Sequence, residues 1–600
     1  MKKFMKKKMT VFQITPLNTD VTDLKKFETY AARAAKAGAT HIIVTEVEKS
    51  RWIWERDLSD PYPNWGMLNS ALFKIIVPKE LKSYLPQDYA DRNFALIKKR
   101  CAILKKYGLK AAAYFAEPFY LPEEVYRDHP DWRGPRCDHP RRATNYYYSP
   151  CMDNPEVLAM YRSAMKRLCE AAEIDYVYLH TNDCGAGICH STGLYDGPNG
   201  PESCKNIPLA QRILGYFRVF RQGAADAGRD IFIETNSNIG FKADESVMDA
   251  VWPLLDDGMA VNFKNNKGLP LSSLVEVNHE FTYSPVRCIP SYFEYLRQLQ
   301  AAFESESTIL KVYTYDDDLD GFFTLYEMFC EHPTRSFADR AALLKKFAAK
   351  VAGARNAGAL VDAWQAIDTS LKHFLDTCIE GFSWTSVNQR LINRPFVLFP
   401  EELDEDEKSY WRPYLFQAVD EKQANDLLNN QNTSFIRGYY AVFLASKCLQ
   451  KMRTQVETAR KLYLKVAETA ENADLFRLAA DRLSLLNCFA KNYLHAMKFQ
   501  DIVDSTDYSE EPEISPQWPL DADPRLLEYE RLTRAEIDNT YEIIRLIEGR
   551  EREMLLLAPT AALEDIFWLS PEITGQLRVK ANTMLNHQLD GKRLYRTNNK

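Results

Sequence analysis

The sequence predicts an α/β protein, a (β/α)8 TIM barrel followed by a large all-α C-terminal domain. Three observations carry that expectation. Short apolar stretches ending in polar residues recur through the first half of the chain, amphipathic helical stretches separate them, and from about residue 333 the alternation gives way to helical periodicity alone. The predicted organisation is a basic N-terminal tail over 1–9, a barrel over 10–332 with aromatic-rich loop insertions, and an α-helical domain over 333–600.

The elements follow in order. Residues 10–15 form the first expected strand, and the next helix has Thr22 as its N-cap, Leu24, Phe27, Ala31 and Ala34 on one face, and Gly38 at its end. A second strand over 40–46 ends in Glu46, and a third over 110–117 ends in Glu117. Insertions follow both: 48–92 carries Trp52, Trp54, Tyr62 and Trp65, and 118–152 carries Phe119, Tyr120, Trp132 and Tyr146 to Tyr148. Such rings either pack the loops on the barrel or stack on the C–H faces of sugars; as a set they favour a cleft with an aromatic rim.

Asn154-Pro155-Glu156 opens another helix, a cap residue followed by proline in the first turn, with Val157, Met160, Ala164 and Leu168 facing inward. The fourth strand is the most informative stretch. Tyr176 to Leu179 are apolar or aromatic, and His180, Thr181, Asn182 and Asp183 follow just before glycine-rich Cys184 to Gly187. A fifth strand, 231–236, contains Glu234; weaker strands at 259–265, 275–283 and 309–316 complete eight. Eight units in about 320 residues suit a barrel whose usual length is roughly 250 and which grows by loop insertion. Beyond it, Leu344, Phe347, Ala348 and Val351 share one helix face, and Val456, Ala459, Tyr463 and Val466 another, with Glu457 placed to pair with Lys461. Proline-rich stretches at 394–400 and 505–524 interrupt the helices, and no repeat of fixed period appears.

Composition narrows the class. At 600 residues and 46% hydrophobic, the chain is large enough for more than one core, and a formal charge of -7 offers no electrostatic footprint for nucleic acid. The basic start lacks a continuous apolar region and a small-residue cleavage site, and no apolar run is long enough to span a membrane, so a cytoplasmic protein is expected. Of the twelve cysteines, eleven fall into two groups. Cys101, Cys169, Cys330, Cys378, Cys448 and Cys488 fall in helical patterns as small apolar residues, whereas Cys137, Cys151, Cys184, Cys189 and Cys204 crowd the loops after strands three and four, near His139 and His190. Cys184-x4-Cys189-His190 falls in the range of zinc-ligand spacing but lacks a partner CxxC. Reduced, loop-packing thiols are the expectation, with a metal site or a local disulfide as alternatives; no metal and no cofactor is predicted.

Function is expected where parallel strands end, because loops there open around a rigid frame. Asp183 and Glu234 follow neighbouring strands, so their carboxylates are expected to face one another across a sugar-sized gap. Cleaving a glycosidic bond needs one carboxylic acid to protonate the leaving oxygen and one carboxylate as nucleophile or base. Glu234 is assigned as general acid/base and Asp183 as nucleophile or base, with exchanged roles left open. Glu46, Trp65, Glu117, His180, Asn182, Asn236, Asn262, Tyr315 and Asp316 are the substrate-binding candidates, offering carboxylates, amides, hydroxyls and rings to a carbohydrate.

Several short motifs add a resemblance. Lys106 to Lys110 leading into Tyr114-Phe115-Ala116-Glu117-Pro118, then His129-Pro130-Asp131-Trp132, then Asn182-Asp183 at a strand end, is similar to barrel glycoside hydrolases of the α-glucuronidase and β-hexosaminidase type. The α-glucuronidases carry a helical region after the barrel, and Ala363 to Asp368 sits in a comparable helix. The resemblance implies a hydrolase of O-glycosyl bonds acting in carbohydrate metabolism or polysaccharide degradation, on plant, host or microbial glycans. Hexosaminidases of this type have an adjacent Asp-Glu pair where this chain has Asp183-Cys184, which argues against substrate-assisted cleavage of N-acetyl sugars. Two alternatives stand beside this reading: a metal-dependent barrel isomerase or lyase using Glu117, Asp183, Glu234 and a histidine, and a non-catalytic carbohydrate-binding protein. The helical appendage also offers surface for a homodimer.

Overall fold

The computed structural model describes residues 9–14, 22–47, 61–62, 70–118, 120–138, 145–180, 188–190, 200–235, 249–261, 263–277, 283–305, 307–314, 320–376, 390–407, 439–504, 524–558, 560–561, 564 and 568–591. Its strands are β1 (Met9–Ile14), β2 (His41–Ile43), β3 (Lys110–Ala116), β4 (Arg133–Arg136), β5 (Tyr148–Pro150), β6 (Ile174–His180), β7 (Phe232–Thr235), β8 (Met259–Val261), β9 (Ser272–Glu276) and β10 (Ile309–Thr314). β4 and β5 form a small antiparallel pair. The other eight make one sheet in the order β8-β7-β6-β3-β2-β1-β10-β9, and every ladder in it is parallel.

The sheet is curled. The Ser272 hydroxyl of β9, an end strand, donates to Glu234 of β7 near the other end. Beyond β8, the Phe263 carbonyl accepts from Leu271 N at 2.7 Å and Ser272 N at 3.3 Å, so the chain turns directly from one end of the sheet to the other. The period of two sorts the side chains. Val11, Ile43, Ala112, Tyr114, Tyr176, Tyr178 and Ile309 fill the concave interior, whereas Phe12, Ile42, Phe115, Val177, Leu179, Ile233, Val275 and Val312 pack outward against helices.

The surrounding helices obey their sequence signals closely. Helix Pro155–Ala172 is capped by Asn154, whose side chain accepts from Glu156 N and Val157 N, and it buries Val157, Met160, Ala164 and Leu168 as expected. Helix Leu24–Lys36 is capped by Asp23 rather than by Thr22, its carboxylate accepting from both Lys25 N and Lys26 N. The aspartate wins because an ionised acceptor beside unpaired helix donors is favoured by the helix dipole as well as by the hydrogen bonds.

After β10 the described elements are helical, including Phe337–Ala352, Ala357–Leu375, Tyr439–Ala467, Ala473–Asp504, Pro524–Ile547 and Ile573–Asn586. One hydrophobic cluster runs from the outer face of the sheet into them. Trp364 donates its indole N–H to Tyr463 at 3.0 Å, and Tyr283, beyond β9, donates to the Ile367 carbonyl at 3.2 Å. Near the C-terminus, Leu556 N donates to Pro285 O at 2.8 Å, and Arg287 N to Met554 O at 3.0 Å. The helical part is thereby tied to the edge of the sheet where the parallel strands end.

The helices also enclose a polar knot. Glu536 and Lys580, both 0% exposed, are ion-paired. Asn492 Nδ2 and His495 Nδ1 approach the same carboxylate at 2.7 and 2.6 Å, and Lys580 donates to Ile392 O at 2.9 Å. Removing one partner of such a pair leaves an uncompensated buried charge. Glu536→Ala is expected to cost about 3–5 kcal/mol in denaturant unfolding, and the Glu536→Leu/Lys580→Met double variant to recover most of that loss.

Candidate active site

Because the eight strands run in parallel, their C-terminal ends share one edge, and alternation decides which side chains point over its concave mouth. At the end of β1, Gln13 donates from Nε2 to Glu46 Oε1 at 3.0 Å. Glu46 stands just past β2 and is 6% exposed. Burial raises its carboxyl to about 7 from 4.5, against the opposing pull of the Gln13 hydrogen bond and the Arg100 guanidinium. Arg100 reaches in from helix Gln87–Lys106 and donates to the carbonyls of Val44 at 2.8 Å and Glu46 at 2.6 Å, clamping the turn that carries the carboxyl.

Other rim groups complete the described part of the mouth. His180 ends β6 with its ring 6.3 Å from that of Tyr114. On β9, Val275 packs into the outer cluster, so Glu276 falls on the concave face with Ser272; its N–H donates to Gln298 Oε1 at 2.7 Å. Tyr313 of β10 lies in register with both Glu276 and Gln13. Glu46 and Glu276 are thus carboxyl groups at two strand ends of one mouth, and a carboxyl poised near neutrality is the kind of group that delivers a proton to a leaving oxygen.

Glu234 has a different setting. Sequence reasoning expects it at the mouth, but it lies within the curled sheet, 0% exposed. It accepts from Ser272 and faces Tyr176 and Lys311. Burial raises its pKa, and the nearby Lys311 charge works against that rise. Lys311 is itself 2% exposed, with Nζ 3.1 Å from the centre of the Tyr178 ring. Glu117 turns the other way, accepting from Leu72 N and, at 2.9 Å, from the Tyr161 hydroxyl in the outer layer. Glu117 and Glu234 therefore stand on opposite faces of the sheet and do not share a metal ion.

Asp183, Trp65, Asn182, Asn236, Asn262, Tyr315 and Asp316 lie outside the described residues, as do Trp52 and Trp54. Among the aromatic residues expected to rim the cleft, Tyr62 and Trp132 are buried. Trp132 stacks on His129 at 3.9 Å and donates to Glu156 at 2.7 Å, so it secures its loop to helix Pro155–Ala172. Tyr146 is exposed, beneath the Arg136 guanidinium at 4.3 Å.

Sequence reasoning missed Gln13, Glu276 and Lys311. Glu276 was hidden because the seventh barrel strand was expected at 275–283, whereas the ladder occupies Ser272–Glu276. Lys311 did carry a signal, a lone charge amid the apolar residues of Ile309–Thr314.

Comparison with family models finds no match for the chain, and comparison with curated proteins finds none either. Among solved structures, its fold is similar to that of a GH138 enzyme described as targeting pectin rhamnogalacturonan II, with TM-score 0.51 and 10% identity over 97% of this chain and 83% of that one. A variant GH36 α-galactosidase from Geobacillus stearothermophilus aligns at TM-score 0.31 and 14% identity over 56% of this chain and 41% of that one. A maltogenic α-amylase from Thermotoga neapolitana aligns at 0.32 and 10%, over 56% and 79%. The structural neighbours are glycoside hydrolases with barrel-like folds. At these identities the likeness is one of fold, and only the first alignment is strong enough to carry it.

The Glu234–Lys311 pair gives a test of the interior. Lys311→Met should destabilise the fold by about 3–5 kcal/mol at pH 8, where Glu234 must either stay ionised without its cation or take up a proton on folding. The loss should shrink toward pH 5 as Glu234 takes up a proton, and thermal unfolding across that range measures it.

Proposed function

We propose that the chain is a glycoside hydrolase that protonates the leaving oxygen with Glu46 and uses a second strand-end carboxylate as nucleophile or base. The observation that carries this reading is the Glu46 carboxyl, held at about 7 by burial at the rim of the sheet. Such a group keeps a substantial protonated fraction near neutral pH without being too weak an acid to donate. Asp183 is the proposed partner, since it directly follows the polar end of β6, and Glu276 is the described alternative. Glu234 takes an interior role, fixing the polar core below the mouth. His180, Asn182, Asn236, Asn262, Tyr315, Asp316 and Trp65 are proposed to bind sugar hydroxyls and ring faces. The GH138 likeness supports a carbohydrate substrate and makes pectin rhamnogalacturonan II one substrate to try.

The test is a panel of chromogenic glycosides and pectic oligosaccharides with wild type, Glu46→Gln and Asp183→Asn. Glu46→Gln should lower kcat/KM by about 10²–10⁴ on substrates with poor leaving groups and much less on activated aryl glycosides, which need little protonation. Wild-type activity should fall as pH rises through about 7, the value of the Glu46 carboxyl. Equal activity of Glu46→Gln and wild type on a poor leaving group rules out the acid role.

The same group makes a stability prediction. Its pKa is higher in the folded state, so folding favours the protonated form, and the cost of ionising Glu46 grows as pH rises from about 4.5 to about 7. Glu46→Gln should leave stability little changed at pH 4 and raise it by up to roughly 3 kcal/mol at pH 8, read from urea midpoints.

A further inference from the structure

Away from the carboxyl groups of the mouth, two long connections meet in a cluster of thiols. Cys151 and Asp153 follow β5 and precede the Asn154 cap, while Cys189 and Cys204 belong to the connection between β6 and helix Leu209–Asp226. The three sulfurs and a carboxylate oxygen of Asp153 all lie within 4.8 Å of one another. Cys151, Cys189 and Cys204 are 2%, 0% and 1% exposed.

Neither bland explanation accounts for the group. Cys151 and Cys204 have their sulfurs 3.9 Å apart, far beyond the roughly 2.05 Å of a disulfide, and three thiols cannot all pair. As small apolar fillers, thiols have no use for a carboxylate in their midst. Asp153 Oδ2 is buried without a hydrogen bond of its own, and the carboxyl group's company is the Cys204 thiol and the Arg212 guanidinium, 3.8 Å away.

We propose that Cys151, Cys189, Cys204 and Asp153 hold a structural zinc ion that fastens the connection after β6 to the one after β5. Tetrahedral zinc with Zn–S bonds of about 2.3 Å sets its sulfurs roughly 3.8 Å apart, the spacing seen for Cys151 and Cys204. Thiolate-rich, four-ligand sets closed to solvent are the structural zinc class. Binding displaces the three thiol protons to solvent, and the ion's two positive charges offset half of the four negative charges on the thiolates and carboxylate, with the Arg212 guanidinium beside Asp153 supplying one more.

The surroundings support the ligands in the manner of an outer coordination layer. Arg212, 4% exposed, donates to the Cys189 carbonyl and, at 3.0 Å, to Ile207 O, so it holds the Cys189 backbone beside Asp153. His190 is committed elsewhere, with Nε2 2.8 Å from Pro201 O. Gly200 lets its strand of the loop lie against Cys189, where a Cβ would come within 2.5 Å of the Cys189 Cβ, and Gly134 does the same against the backbone of Pro150 and Cys151.

The full chain, expressed with zinc and dialysed against metal-free buffer, should retain zinc in stoichiometric amount by elemental analysis. Cobalt exchanged into it should show tetrahedral d–d bands and sulfur-to-cobalt charge transfer, and a mercurial that caps thiols should release the metal. Cys204→Ser should drop zinc to trace levels, whereas Cys101→Ser, in a helix away from the cluster, should keep it and serve as the folding control. Wild type with only trace zinc and no thiolate–cobalt spectrum overturns the proposal, whatever the variants do. None of these readouts depends on glycosidase activity.

Discussion

Parallel pairing is the constraint from which the rest of the molecule follows. A strand in a wholly parallel sheet returns to its neighbour only through a crossover, so each needs helical cover on its outer face and leaves its C-terminal end on a common edge. Outer-face residues such as Phe12, Phe115 and Val177 are accordingly mostly apolar, while the concave face mixes rings with polar groups. Register then decides who meets whom. Tyr178 pairs with Tyr114 on one side and Glu234 on the other, which brings Lys311 across the curl onto its ring. Burying an ion costs several kcal/mol, so Glu234 and Lys311 are tolerable only because Ser272, Tyr176 and the Tyr178 face surround them.

The same constraint explains what could be read from residues alone. Most strands of the sheet were legible because each is a short apolar run bounded by polar residues, and a period of two differs plainly from 3.6. The N-cap of Pro155–Ala172 was legible for a similar reason, since Asn-Pro-Glu is a local signal needing no tertiary context. Glu117 and Glu234 were not. Both are acidic residues in or just after a strand, yet whether such a side chain points into the concave interior or out toward helices depends on register. A slip of one position exchanges the faces. For Glu276 the missing knowledge was the extent of the strand itself, because the Leu269-Pro270-Leu271 approach to β9 obscures where pairing begins.

Glu46 shows how a site can be built from opposing terms rather than from a motif. Arg100 and Gln13 both favour the ionised carboxylate, and both are outweighed by removal from water. Arg100 spends its guanidinium on two main-chain carbonyls, and burial pulls its own pKa down to about 10. The arrangement secures the backbone at the rim without fully neutralising the acid there. No local sequence pattern encodes this balance, because Arg100 comes from a helix more than fifty residues further along the chain.

The thiol cluster bears on the mouth through chain connectivity. The connection leaving His180 is long, and among its described residues up to helix Leu209–Asp226 only the turn Glu202–Cys204 is helical. Closing a long connection is costly in entropy, and this one is rich in glycine and proline, with few large apolar side chains to offset the cost. A bound ion offers what its hydrophobic contacts cannot, several strong bonds converging on one point and anchored to the neighbouring β5 connection. The connection's described ends are held separately, His180 by pairing in β6 and Cys189 by the proposed clamp. Position at the strand end and anchoring of the loop are then separate requirements, met by separate groups.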